Sequence, residues 1–258
     1  MGDDLFYLRG APIGEIVLNR PSKRNAISAA MWAGLKDALA AAEQDDARVI
    51  VVRGAGDHFA AGADIGEFGE VYRSPGEADR YTAVMLDSLA ALENAAKPTI
   101  AMIRGACVGG GVSIALACDL RFAARSARIG VTPAKLGFVY SLPDTRRLIE
   151  ACGVANAKDL LFTGRLVDGE EALAMGLCDR LYADAELPDA VLRFAREVEA
   201  TSQASARMTK EMIGLLKKGV ADGDARAREI LRGAAAGADF REGYSAFLEK
   251  RAPRFPKS

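Results

Sequence analysis

Apolar residues run unbroken over short stretches and then recur every three or four positions, and the alternation of these two patterns sets the predicted elements. Ile13 to Asn19, Val49 to Arg53, Thr99 to Arg104 and Leu120 to Ala124 read as strands. Gly54-Ala55-Gly56 closes the second, and Pro98 opens the third where no ladder donor is wasted. Between them, Met31, Leu35, Ala38, Leu39 and Ala42 recur at helical spacing behind Ser28 as N-cap, and Met85, Leu89 and Leu92 mark a helix over Tyr81 to Ala96. Gly109-Gly110-Gly111 leads into a helix over Val112 to Ala117. The unit is strand, glycine turn, helix, strand, which belongs to an α/β fold. From Leu142 the pattern is mainly helical, with breaks at Thr163-Gly164 and Met175-Gly176 and one more strand from Leu177 to Tyr182. From Ser202 it predicts helix throughout, carrying Met208, Met212, Leu215, Leu216, Phe240, Tyr244, Phe247 and Leu248. That is more apolar surface than a solvated tail uses, so this segment is expected to pack on the core or on another subunit. The change of pattern divides the chain into 1–200 and 201–258.

Composition narrows the function classes. Apolar residues make up 50% and charged residues 27% of 258, enough for one large core. A net charge of −1 leaves no overall field to attract nucleic acid or a membrane surface, and neither partner is expected. No apolar run reaches the ~20 residues of a membrane span, and Met1-Gly2-Asp3-Asp4 lacks the basic start of a signal peptide, so a cytoplasmic protein is expected. Cys107, Cys118, Cys152 and Cys178 have no CxxC spacing and read as core thiols in a reducing compartment. His58 is the single histidine: any Ser-His-Asp triad would depend on it, a multi-His zinc site is excluded, and no metal site is expected. A loop or capping role suits it better than catalysis.

Two glycine-centred turns stand out, Phe59 to Ile65 (FAAGADI) and Gly105 to Gly111 (GACVGGG), each after a strand and before a helical run. Backbone N–H groups at such turns can converge on one oxygen and stabilise charge that develops there. The alternative is that the glycines serve only tight turns and close packing. Neither a Walker loop nor a GxGxxG after the first strand is present, which disfavours phosphate-loop ATPases and Rossmann dehydrogenases.

Asn19-Arg20-Pro21, Asn25-Ala26-Ile27, FAAGADI and GACVGGG, in that order and spacing, resemble the enoyl-CoA hydratase/isomerase family, the crotonase superfamily. Cys118-Asp119-Leu120, Leu161 to Gly164, Ala172 to Gly176 and Phe247 to Arg251 continue the similarity over nearly the whole chain. The resemblance implies a spiral of strand-strand-helix turns, a helical C-terminal trimerisation region, a homo-trimer or a hexamer of paired trimers, and an acyl-CoA thioester substrate. It implies no cofactor beyond the coenzyme A moiety. The family's oxyanion hole falls on the amides of Ala63 and Gly110. Coenzyme A contacts fall on Lys23, Arg24, Ala61, Asp64, Ile65, Lys250 and Arg251, although by itself each of these charges reads as a solvated face and Asp64 as the cap of the following helix.

The departures carry as much information. The two glutamates with which related hydratases activate water fall on Ser113 and Pro133, and the aspartate of related dienoyl isomerases and dehalogenases falls near Ser141. None of these is a proton acceptor by itself near pH 7. Decarboxylation of a malonyl-type thioester needs the oxyanion hole and no carboxylate base, and Val131 to Ser141 resembles the matching stretch of methylmalonyl-CoA decarboxylases. Thr132 and Tyr140 would then hydrogen-bond the substrate carboxylate, although Tyr140 also reads as a packing residue and those enzymes carry a histidine at the position of Ala63. The leading expectation is therefore decarboxylation of a methylmalonyl-like thioester. The first alternative is enoyl-CoA hydration or double-bond isomerisation through a relocated acid, Asp144, Glu67 or Glu150, each of which otherwise reads as a helix-start or surface acid. The second is an acyl-CoA-binding protein without catalysis.

Overall fold

The computed structural model describes residues 4–256. Its central sheet is built from the predicted strands. β1 (Leu5–Leu8) and β2 (Ile13–Leu18) form an antiparallel hairpin, then α1 (Ala29–Glu43) crosses over to β3 (Val49–Gly54), which joins β2 in parallel with Ile16 beside Val52. α2 (Phe68–Val71) and α3 (Pro75–Glu93) lead to β4 (Thr99–Ile103); β5 (Ala106–Val108) and α4 (Gly110–Ala117) lead to β6 (Leu120–Ala124). β7 (Arg128–Gly130), α5 (Leu142–Thr163), β8 (Leu166–Asp168), α6 (Gly169–Met175) and β9 (Arg180–Tyr182) complete a six-stranded sheet of order β1-β2-β3-β4-β6-β9 and a small sheet of order β5-β7-β8. α7 (Leu187–Glu199), α8 (Gln203–Lys217), α9 (Ala225–Ala236) and α10 (Ala238–Leu248) follow. This is the α/β architecture with a helical C-terminal region that the pattern and the resemblance lead one to expect.

The continuous apolar runs of β3 and β4 arise because the sheet is covered on both faces. Ile50 and Val52 point into a core with Met31, Trp32, Leu35, Leu89 and Leu92 of α1 and α3. Val49, Val51 and Ile100 point the other way, into a second cluster with Leu187, Val191 and Ala195 of α7. Ser28 caps α1 as expected, its hydroxyl accepting from Met31 N at 3.2 Å. All four cysteines are buried and unpaired.

Several expectations are corrected. The helix drawn over Tyr81 to Ala96 starts at Pro75 behind a Ser74 cap and ends at Glu93. The strand drawn over Leu177 to Tyr182 is only Arg180–Tyr182, because Leu177 and Cys178 approach it as buried chain. The second glycine turn contains β5, which pairs with β7; three residues are too few for a period-2 pattern to register. The tail is three helices rather than one, broken after Lys217 and at Gly237. Phe240, Tyr244, Phe247 and Leu248 stay exposed, Phe247 at 81%, so they do not pack on this subunit's core. No described helix is long and apolar enough to cross a membrane.

Candidate functional site

The two glycine turns lie side by side at the carboxyl ends of β3 and β4, joined by main-chain bonds. Ala60 N donates to Ala106 O and Val108 N to Ala60 O, both at 2.9 Å. The Asn25 loop buttresses the first turn: Ile27 N donates to Gly62 O at 2.8 Å, Asp64 N to Ile27 O at 2.9 Å and Ala61 N to Arg24 O at 2.9 Å. Asn25, fully buried with φ of 56°, donates from Nδ2 to Ala55 O and His58 O and accepts from Arg20 N.

This stitching brings Ala63 and Gly110 together: a Cβ on Gly110 would lie 3.5 Å from Ala63 N. Gly62 has a φ of +110°, and a side chain there would meet Val108 O at 3.2 Å. Gly109, with φ of +51°, turns the chain into α4 so that Gly110 is the first helical residue, where an amide has no partner within the helix. Among the described residues, neither Ala63 N nor Gly110 N donates to a main-chain carbonyl. Two neighbouring backbone donors, one of them at a helix start, suit an oxygen that takes up negative charge.

Asp64 accepts from Gly66 N at 3.1 Å, the capping role expected of it. It is also gripped by Lys23 at 2.9 Å and by Arg20 at 2.8 Å, a partner the sequence reading missed. Lys23 and then Arg20 hold the carboxyl down to about 2. Because its folded pKa lies below the ordinary ~3.9, Asp64 adds stability that is present above that value and lost as pH falls toward the folded value. Asp64→Asn is therefore expected to flatten the loss of stability between about pH 4 and pH 2, read from urea midpoints across that range.

Of the basic candidates, Lys23 remains half-exposed while paired with Asp64, and Arg24 lies in the left-handed region on the same loop. Ile65 is exposed beside the first turn. Arg251 is held by Glu242 and Glu249 at 2.6 Å on its own tail, and Lys250 precedes it beyond α10. His58 accepts from Ala106 N through Nδ1 at 3.1 Å, which braces the turns. Two surface clefts, both lined by His58 and Arg104, adjoin these strand ends, but neither is lined by Ala63, Gly110 or Tyr140.

The other side of Gly110 holds a hydroxyl chain. The Tyr140 hydroxyl lies 2.7 Å from Ser113 Oγ and 3.1 Å from Gly109 O. Ser113, the position of the missing first glutamate, also lies close enough to Asp144 to pull its carboxyl down. Ser141 caps α5 and donates to Asp144 Oδ2 at 2.6 Å. Asp144 is 2% exposed, so of the three relocated-acid candidates it is at the start of a helix but not at the surface. Burial pushes its carboxyl above the usual range, against Ser141, Arg147 and Ser113, which pull it down. Burial also drives the Tyr140 phenol well up, and the neighbouring Asp144 adds to this. Glu67 braces the Ala29 amide at 2.7 Å, and Glu150 pairs with Arg146 and Lys217 at the rim. Pro133 opens a short 3-10 turn behind Thr132. An aromatic wall that periodicity did not reveal borders Gly110: Trp32 Nε1 donates to Tyr81 OH at 3.2 Å, and Tyr72 packs edge-on to Tyr81, Phe68 and Phe138.

A family model described as "Enoyl-CoA hydratase/isomerase" matches residues 9–258. The chain is 36% identical to a "Probable enoyl-CoA hydratase" of Rhizobium meliloti over 94% of each chain. It is 31% identical to the "Delta(3,5)-Delta(2,4)-dienoyl-CoA isomerase, peroxisomal" of Arabidopsis thaliana over 94% of this chain and 92% of the other. The crystal structure of an "enoyl-CoA hydratase/isomerase family protein" from Hyphomonas neptunium superposes with a TM-score of 0.96 at 44% identity, covering 99% of this chain and 98% of that one.

Proposed function

This chain belongs to the enoyl-CoA hydratase/isomerase family, and on that premise we propose that it moves protons on an enoyl-CoA thioester, by hydration or by double-bond isomerisation, with Asp144 as the relocated acid. The observation that carries this reading is the row Tyr140, Ser113, Asp144: the Tyr140 hydroxyl sits on Ser113 Oγ and Gly109 O, and Ser113 is near enough to the buried Asp144 carboxyl to pull it down. Ala63 N and Gly110 N hold the thioester oxygen as it becomes an enolate.

In hydration, water adds to the β carbon and its proton passes to Tyr140, while the Tyr140 proton moves to Ser113 and the Ser113 proton to the Asp144 carboxylate. The double-bond electrons flow to the thioester oxygen. A proton returning along the same chain to the α carbon collapses the enolate. In isomerisation the proton leaves one allylic carbon and returns at the other end of the dienolate. A single carboxyl serves both directions because no step needs two at once.

Decarboxylation, the leading expectation from sequence, becomes secondary. The relatives described above carry hydratase and isomerase names. Tyr140, expected to hold a substrate carboxylate, has its hydroxyl on Ser113 and Gly109 O and stands in line with Asp144, whose charge would repel a second carboxylate. The aromatic wall of Trp32, Tyr81, Tyr72 and Phe138 supports an apolar acyl group. We assign the coenzyme A side to Lys23, Arg24, Ala61, Asp64 and Ile65, with Lys250 and Arg251 as further basic contacts, and no cofactor beyond that moiety. The exposed apolar positions of α9 and α10, Leu231, Phe240 and Phe247 among them, support a homo-trimer or hexamer. The four buried thiols suit a cytoplasmic setting.

Mass spectrometry of the protein incubated separately with crotonyl-CoA, a 3-enoyl-CoA and methylmalonyl-CoA tests the reading. Gain of water by crotonyl-CoA, or conversion of the 3-enoyl to the 2-enoyl thioester, is expected. Propionyl-CoA from methylmalonyl-CoA as the only product would restore decarboxylation, and acyl-CoA bound without turnover would leave a binding protein.

A further inference from the structure

Asp144 is not an isolated carboxyl. Arg147, one turn along α5 and only 4% exposed, places Nη1 3.2 Å from Asp144 Oδ1. Its Nε and Nη2 grip Glu93 Oε2 of α3 at 3.0 and 2.7 Å. Glu93 in turn accepts from Lys217 of α8 at 2.6 Å. Lys217 also reaches Glu150 at 3.0 Å, and Arg146 joins Glu93 and Glu150 at the rim at 3.7 Å. Toward the site, Asp144 faces Ser113 and Ser141, and Tyr140 stands next to it with the buried Cys107 beyond. One row of alternating charge therefore runs Asp144, Arg147, Glu93, Lys217, from the interior of the site to the C-terminal helices.

The hydroxyl chain can point either way. With Asp144 ionised, Tyr140 turns its one proton from Gly109 O to Ser113 and Ser113 donates to the carboxylate, which leaves Tyr140 able to accept a proton. With Asp144 protonated, the carboxyl donates to Ser113, Ser113 to Tyr140, and Tyr140 to Gly109 O, and the chain can only deliver one. The fixed cation beside Asp144 selects between these directions, and the guanidinium fork holds it in place between two carboxylates, as a lysine could not.

We infer that Arg147 is the positioning residue of the proton chain, keeping Asp144 as its acceptor end, and that Lys217 of α8 reaches the same carboxyl through Glu93. The inference rests on Asp144 being the proton carrier, and its test separates the two ideas. The pH dependence of kcat/KM is measured for the parent and for Asp144→Asn, Arg147→Gln, Arg147→Lys, Glu93→Gln and Lys217→Met. Removing the cation in Arg147→Gln should move the acid limb of the profile to higher pH by about one to two units. Arg147→Lys should restore part of that shift. Glu93→Gln removes the charge that offsets Arg147, so its limb should move to lower pH. Lys217→Met leaves Glu93 less compensated, so its limb should move the other way and by less. A loosened core would not shift two partners of one ion pair in opposite directions. If Asp144→Asn abolishes the acid limb but the other four variants leave it in place, the role of Arg147 is overturned while that of Asp144 stands. If Asp144→Asn keeps the limb, the proton-carrier reading falls with it. Glu93→Gln and Lys217→Met decide the matter even where Arg147→Gln does not fold.

Discussion

Replacing Gly110 with proline is expected to cut turnover on the order of 10²- to 10³-fold in a protein that still folds, because it removes one of the two amides that the proposed function assigns to the enolate oxygen. Gly110 is the first residue of α4, in the first turn, where proline costs no intrahelical bond. Proline and alanine both place a Cβ against Trp32, so the melting transition followed by circular dichroism should be similar in the two variants while kcat falls further with proline. Gly110→Ala keeps the amide but adds a methyl that meets Trp32 Cζ2 at 3.1 Å and stands 3.5 Å from Ala63 N. Its rate should fall between the parent and the proline variant. A folded proline variant of unchanged rate would remove Gly110 from the chemistry.

Asp144→Asn is expected to lower kcat by about 10²- to 10⁴-fold, the range of a lost acid-base group. The amide fills the same space and still accepts from Ser141, so shape is kept while the proton site is lost. In the parent, activity should rise with pH through a value above the ordinary carboxylate range, because burial holds the folded carboxyl up. Below that value Asp144 is protonated and cannot take a proton; above it the chain is primed. The asparagine variant should lose this limb. Tyr140→Phe breaks the chain at its outer end and should cost a similar factor, whereas a purely packing role for Tyr140 would leave the rate within a few-fold.

Much of this site was legible from the residue types alone. The glycine turns announced themselves because strands β3 and β4 are buried on both faces and end abruptly, so FAAGADI and GACVGGG stand out against continuous apolar runs. Asp144 was visible as a carboxyl of uncertain use, but nothing in its spacing could show that Ser113, thirty-one positions away, lies against it. Hydrogen bonds between distant segments leave no periodicity. The same holds for Arg20, which the sequence shows only as part of Asn19-Arg20-Pro21 and which the fold brings onto Asp64. β5, β7 and β8 escaped because three residues cannot display alternation, and they are strands only through one another. Phe247 and its neighbours are more apolar than a solvated tail uses, and they stay exposed in the folded subunit.

The two main-chain bonds between Ala60 and the second turn, one to Ala106 and one from Val108, have a consequence for how this molecule can change. They set the separation of the Ala63 and Gly110 amides by backbone registry, with the side chains of His58 and Asn25 bracing the turns from behind. The acid, by contrast, sits on a different helix and reaches the site through replaceable hydroxyls. On the proposed reading, the scaffold thus separates an electrical duty fixed by the main chain from a chemical one carried by side chains. A point mutation at Asp144, Ser113 or Tyr140 would then alter the proton path while leaving the spacing of the two amides as it is.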